Sequence, residues 1–433
     1  MTGAHEIAYQ LHPLREALYE ELHIRPFYNL ETPQQITHLA ACAQPDEQVA
    51  TFDLLCELCR RYDVYLPQTG AVAFHQDFGD FTIHWERHVE FYTLTIMQPV
   101  LRTALPFQHP AINLLPEDWL KMLPGQMVSA FHLIIDDQHL DYDSAALSRY
   151  FEGHRVLVSQ VKENKAQIFT AFKLHGDGYG RFIIRNQGLN ETQMGQLARR
   201  LLELETYRLL ALISLPIAKR IAPHLVTLDY QLAEMLRQIT KLESPREERE
   251  LLGRLTDIEA QLETYRAETN SRFSASAAYH ELVEERLNGM GESTVNGYFS
   301  IREFLSRRLD PALRTCESLQ IRMDDLSRRI ERAGDLLRTR VNLNLQEQNR
   351  SLLSSMNRRS QLQFRLQETV EGLSIAAISY YMVGLLSYLL AGFPLEQWGL
   401  SKNMLLAACI PLVVAVVWSI TSRIKHRLIK NYE

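Results

Sequence analysis

The chain is poor in cysteine, lacks a basic excess and, over one long stretch, has no proline. Its five cysteines, Cys42, Cys56, Cys59, Cys316 and Cys409, are odd in number and scattered, which excludes a disulfide framework and points to a reducing compartment. With 46 Lys and Arg against 52 Asp and Glu, the net charge is −6. No basic surface of the kind phosphate recognition depends on is evident, so nucleic acid is not an expected partner. The N-terminal MTGAHEIAYQLHPLRE has neither the basic-then-apolar order of a secretory signal nor the Arg-rich, acid-poor character of a transit peptide. The bulk of the chain is therefore expected to stay where it is made. Proline is frequent early and then absent from all 82 residues of 312–393, which leaves no helix breaker there.

What is present is a folding composition: 433 residues, 46% hydrophobic and 9% aromatic, enough for two or three domains. Charge is unevenly spread. Residues 1–371 carry 41 basic and 50 acidic side chains, residues 372–433 only 5 and 2. Within the latter lie two uncharged runs, 24 residues from Gly372 to Leu395 and 20 from Asn403 to Ser422. As helices these reach about 36 and 30 Å, enough to cross a hydrocarbon core of about 30 Å. The seven residues Glu396 to Lys402 allow only a short turn, so a transmembrane hairpin is expected, with the lipid bilayer as its partner. Arg350, Arg358, Arg359 and Arg365 precede it, and Arg423, Lys425, Arg427 and Lys430 follow it. The positive-inside rule then places both chain ends in the cytoplasm.

Residues 1–190 read as a cytoplasmic α+β domain. Segments 81–85, 89–96, 131–135, 156–161, 166–174 and 181–185 are short, β-branched or aromatic, and bounded by turn residues. Lys162–Lys165 and Gly176–Gly178 suit hairpin connections, so an antiparallel sheet is expected, with helices at 12–24, 32–43 and 46–62. Residues 191–310 read as a helical region packing on a stalk helix, 311–371, that continues into the first span, 372–395. The second span, 403–422, leads to a basic tail, 423–433. Leu319, Met323, Leu326, Ile330, Ala333 and Leu337 alternate spacings of four and three, the seam of a coiled coil. Val341, Leu345 and Leu352 continue the stripe after a four-four step that locally unwinds a left-handed supercoil. Leu252, Leu255, Ile258, Leu262 and Tyr265 offer an antiparallel partner. Packing within the chain and packing against identical copies would each cover the seam. A homo-oligomer is the expectation, because a two-span anchor has little apolar core of its own.

Four segments, HPLREALYEELHIRPF at 12–27, HWERHVEFYT at 84–93, LELETYRLLALISLPIAK at 202–219 and MNRRSQLQFRLQETVEGLSIAAISYY at 356–381, carry a resemblance. Together they resemble an uncharacterised bacterial family of membrane-anchored proteins of unknown function, which implies the bacterial inner membrane. The order of parts is also similar to that of the CorA-type magnesium channels. That resemblance implies five copies, a first span lining a pore, and a divalent cation such as magnesium. The Gly-Met-Asn triplet of that family is missing here, where the chain reads Leu390-Ala391-Gly392-Phe393-Pro394-Leu395.

Ser374, Tyr381 and Tyr388 recur seven apart with Ala377 and Gly384 on the same face, a small and polar stripe suited to a narrow hydrated path or to close helix packing. Glu396 on the outer turn, and Glu368 and Glu371 at the inner end, would form carboxylate rings in an oligomer that attract cations. His84, Glu86, His88 and Glu90 alternate, which on a strand makes one polar face able to hold a divalent metal or protons. HWERH lacks the adjacent glutamate of the zinc-protease motif, so hydrolysis does not follow. Asp136, Asp137, His139, Asp141 and Asp143 crowd one loop as hard ligands without the EF-hand pattern, and Asp143 also suits a helix cap. Cys56 and Cys59 read as structural thiols on a helix, and His175–Gly180 as a turn. No nucleophile arrangement is present, so an enzyme is not expected; the His84–Glu90 face is where one would reside. The expected function is a divalent-cation channel or sensor. The alternative is a non-conducting scaffold that presents its cytoplasmic domain to a protein partner.

Overall fold

The computed structural model describes residues 12–15, 29–100, 105–239, 242, 244–392 and 402–430, so most of the helix expected over 12–24 lies outside the described residues. The chain divides into two compact units, one of residues 1–241 and 251–333, the other of 242–250 and 334–433.

The first unit is built on a nine-stranded sheet. Its strands are β1 (Gln34–Cys42), β2 (Ala73–Asp77), β3 (Thr82–Arg87), β4 (Phe91–Pro99), β5 (Gln126–Asp136), β6 (Leu157–Val161), β7 (Ala166–Thr170), β8 (Gly180–Asn186) and β9 (Ser293–Thr294), in the order β2-β3-β4-β1-β5-β8-β7-β6-β9. The meander β6–β7–β8 is antiparallel, but it docks β8 alongside β5 in parallel, from Phe131 opposite Gly180 to Asp136 opposite Arg185. The sheet is therefore mixed, a correction to the antiparallel one expected. A second correction concerns 32–43, expected as a helix: QQITHLAAC is the strand β1, hydrogen-bonded to β4 on one side and β5 on the other. Ladder bonds on both edges outweigh a helical propensity worth only tenths of a kcal/mol per residue.

The helix expected at 46–62 is α1 (Pro45–Arg61), started by Pro45 and a reciprocal box between Gln44 and Glu47. Two short helices follow, α2 (Glu117–Leu120) and α3 (Ser144–Tyr150). Next come α4 (Glu191–Leu212), capped by Asn190, and α5 (Ser214–Ile239). One core joins Ile36, Phe131, Leu133, Ile168 and Phe182 of the sheet to Leu197, Leu201 and Leu204 of α4. Another joins Leu39, Ile83, Trp85, Leu94 and Ile96 to Leu54, Leu55 and Leu58 of α1, so helices cover both faces. Each such fully buried side chain contributes about 1.5–3 kcal/mol.

Beyond the sheet run α6 (Pro245–Met290) and α7 (Ile301–Ala391). Ser300 caps α7, its Oγ accepting from the Glu303 amide, and the helix starts ten residues before Pro311, which sits inside it. Within the first unit α5, α6 and α7 form a bundle. Arg266–Asp324 at 3.3 Å and His280–Asp310 at 3.2 Å set α6 antiparallel to α7, while Asp229 of α5 accepts from Arg322 and Arg329. The seam Leu319, Met323, Leu326, Ile330 and Ala333 is buried, as are Leu225 and Leu228 of α5 and Leu255, Ile258 and Leu262 of α6. Over these residues the seam is covered within the chain.

The second unit holds residues 334–391 of α7, then α8 (Lys402–Lys430), with the segment 242–250. Glu248 lies 3.4 Å from Arg340 and accepts from Asn344 at 2.6 Å. No break interrupts the helix at Gly372. The end of α7 and the α8 segment 403–424 are each long and apolar enough to cross a membrane. A stretch within Glu191–Ile239 also meets that length and composition, yet α4 and α5 carry Leu201, Leu204, Leu225 and Leu228 into the first unit's interior.

Candidate functional site

Position on α7 is fixed by the 3.6-residue repeat. In the apolar end of the helix Ser379 is buried, and Ile375, Val383, Leu386 and Leu390 are partly covered; all lie on one side. Ser374, Ala377, Tyr381, Gly384 and Tyr388 fall on the opposite side, with Tyr381 and Tyr388 71% and 83% exposed. A Cβ added at Gly384 would meet nothing within 4 Å, so close approach by another helix is open there. The same side of α7, followed back toward its start, carries Leu345, Leu352, Met356, Leu366, Val370 and Leu373, all exposed. Among the described residues none covers this line. Glu368 is exposed on the side away from Leu366 and Val370, Glu371 is half-buried on the flank, and Glu396 lies outside the described residues.

The alternation of His84, Glu86, His88 and Glu90 holds only as far as β3. His84 and Glu86 are on the strand, where the His84 ring meets Glu86 at 2.8 Å; His88 and Glu90 belong to the turn that follows. His88 still lies 3.6 Å from Glu86 and stacks on Phe91, but Glu90 turns to Arg272 and Tyr279. Burial opposes ionisation of Glu86, yet the hydrogen bond and charge of His84, with Arg199 and His88, hold its carboxyl down at about 2. His38, which the sequence reading missed, joins this group from β1: its ring is bonded to Thr95 at 2.8 Å and Thr206 at 3.1 Å, and burial lowers it to about 3. A lone histidine in the apolar run of β1 was the available signal. The cavity among these groups is about 30 Å³, room for about one water. Bonded in this way, the cluster is a polar brace between the sheet and α4.

In the aspartate loop the structure separates what the sequence grouped. Asp136, Asp137 and His139 bring one ligand atom each within 4.8 Å of the others. Asp136 already accepts from the amides of Gln138 and His139, each at 3.0 Å, and from the Tyr142 hydroxyl at 2.7 Å, and Asp137 pairs with His139. Asp143 is the cap of α3, its Oδ1 accepting from Ala146 at 2.6 Å, and Asp141 is exposed apart from the cluster. Beside this loop lies a cavity of about 300 Å³ that the sequence reading also missed. The recurrent prolines of 99–110 mark its wall. Cys56 and Cys59 are buried on α1, and burial raises the Cys59 thiol to about 11, which leaves it unreactive. Residues 175–179 lie in the β7–β8 connection, with Gly178 in the left-handed region at φ +82°, and Gly180 begins β8.

A mixed α/β head, long helices and a terminal helix apolar enough to span a membrane define the class. The chain belongs to the family described as "Protein of unknown function (DUF3422)", which it matches over residues 10–428. No curated protein matches it.

Proposed function

We propose a homo-oligomeric membrane protein laid out like the CorA-type channels, which moves or senses a divalent cation such as magnesium. In this reading α7 and α8 anchor it in the bacterial inner membrane with both chain ends cytoplasmic. The observation that carries the reading is the uncovered line on α7: Leu345, Leu352, Met356, Leu366, Val370 and Leu373 in phase with Ser374, Ala377, Tyr381, Gly384 and Tyr388. Six large apolar side chains on one side of a solvent-exposed helix require a cover, and identical copies entering the same membrane in the same direction supply one. A ring of such helices, five if the likeness extends to copy number, puts the small and polar stripe on the axis.

The specific observation favouring a second reading, a non-conducting scaffold, is the Leu390–Leu395 sequence in place of the Gly-Met-Asn triplet. Liposomes loaded with a magnesium-sensitive dye separate the two. The channel reading expects influx on adding magnesium, altered by Gly384→Leu and Glu396→Gln. An intact oligomer that passes no divalent cation under any condition supports the scaffold. A monomer mass in detergent overturns the channel reading and leaves the scaffold.

A further inference from the structure

Three side chains with metal-ligating chemistry converge between α6 and α7 of the first unit. His280 and Glu284 are four residues apart on α6, a spacing that stacks them on one face of a helix, and Asp310 of α7 comes up against them. One ligand atom of each lies within 4.8 Å of the others. Val283 and Leu287 of α6 and Leu305 and Leu309 of α7 are buried beside them, so the bundle core holds both backbones. The His280 ring meets Asp310 at 3.2 Å, and the two are 28% and 27% exposed, which puts the group at the margin of the core with water on one side. Glu284 accepts from Arg302 at 3.3 Å, and Arg302 also donates to Asn288. One turn before His280, Ser276 is 1% exposed, and its hydroxyl has no hydrogen-bond partner among the described residues.

This group differs from the aspartate loop in what competes for it. There Asp136 is spent on two amides and a tyrosine. Here, among the described residues, no backbone amide is bonded to Glu284 or Asp310, and the His280–Asp310 bond joins two groups that a cation would take together. An imidazole nitrogen with two carboxylates suits zinc and its first-row neighbours, whereas magnesium prefers oxygen alone. We propose that His280, Glu284 and Asp310 bind one zinc-class ion, through Nε2 and one oxygen each, with a water as fourth ligand. Arg302 then steadies Glu284 from outside, as groups bonded to a metal's ligands commonly do. The unpartnered Ser276 hydroxyl stands one turn away as a partner for the water. The ion takes the place of the proton shared by His280 and Asp310 and clips α6 to α7.

Calorimetric titration with zinc chloride tests this on the full chain in detergent, first stripped of metal by a chelator. One tight equivalent per chain is expected, which a large excess of magnesium does not displace, and the thermal midpoint should rise as zinc fills it. His280→Ala and Asp310→Asn are each expected to weaken that equivalent by about a hundredfold, and Glu284→Gln and Arg302→Gln by about tenfold. His139→Ala, in the aspartate loop, should leave it unchanged. Should His280→Ala lower the midpoint of the metal-free chain sharply, Asp310→Asn and Glu284→Gln, which keep the size of each side chain, carry the test. No tight equivalent, one that survives all three ligand substitutions, one lost with His139→Ala instead, or one that magnesium displaces overturns the proposal. Ion flux and oligomer mass do not enter these readouts, so the proposed function stands or falls separately.

Discussion

Arg272 holds Glu90 in a fork, Nη2 donating to Oε1 at 2.7 Å and Nη1 to Oε2 at 3.0 Å, across 182 residues of chain. The Tyr279 hydroxyl donates to the same carboxylate, so the turn after β3 is fastened to α6 at two places. Burial opposes ionisation of Glu90, but these bonds and the Arg272 charge outweigh it and lower its pKa, while burial and the carboxylate raise that of Tyr279. Arg272→Met would leave a half-buried carboxylate without its counter-charge. The expected cost is about 1–3 kcal/mol, read as a lower thermal midpoint of the detergent-solubilised chain. Glu90→Gln, which keeps an acceptor for Tyr279, is expected to cost less. No shift in either variant would mean that water screens the pair.

His38 makes a prediction about acid. Burial depresses its folded-state pKa to about 3 from 6.5, against the opposing charge of Glu86, so protons bind the unfolded chain more readily. Its contribution to stability is complete above pH 6.5 and is lost as pH falls toward 3. His132, lowered to about 4 by burial, acts in the same direction. Glu86 adds a loss only between 4.5 and about 2. The thermal midpoint should therefore fall from pH 6.5 to 4.5 on account of the histidines, and His38→Gln should flatten that fall while lowering the midpoint at neutral pH. An unchanged slope in the variant would show that His38 does not carry the effect.

Local signals were legible in the sequence. Runs of 24 and 20 uncharged residues, the four-three seam at Leu319–Ala333, and the segments that became β3 to β8 depend on nearby residues alone. What stayed hidden depends on distant partners. β1 reads as a helix because a central strand buried on both faces shows no alternation, and only β4 and β5 make Gln34–Cys42 a strand. The parallel pairing of β5 with β8 is set by a crossover of some forty residues that no short pattern encodes. His38 and Thr206 meet across 168 residues, so their bond had no sequence signal. The aspartates at 136–143 were visible as a group, but their division into loop brace, cavity edge and helix cap came from backbone amides.

In the proposed oligomer Gly384 would be a point of close helix approach, since nothing lies within 4 Å of the space a side chain would fill. In lipid no hydrophobic force draws helices together, so association rests on close packing at small residues. Gly384→Leu should hold the spans apart and shift the mass in detergent toward the monomer, while Met382→Ala, exposed on a different side of the helix, should not. Equal masses for both variants would place the contact between copies elsewhere.

Cysteine cross-linking along α7 tests the uncovered line directly. In the proposed oligomer, copies anchored through the same apolar helix end would run parallel, and Asn349, four residues after Leu345 and three before Leu352, would select the in-register arrangement, because the amide then meets its own counterpart. In that register each seam residue faces itself. Leu352→Cys and Met356→Cys are therefore expected to form disulfide-linked dimers under mild oxidation, whereas Ser354→Cys and Glu368→Cys, on the outer side of the helix, should remain monomeric on a denaturing gel. The unsubstituted chain supplies the background from its own cysteines. Arg359 falls on the same line, and its charge opposes close contact, so Arg359→Leu should strengthen the cross-link at Met356→Cys. Equal cross-linking at inner and outer positions would reveal collision rather than a seam. Absence of cross-links in a chain of oligomeric mass would move the interface to another surface.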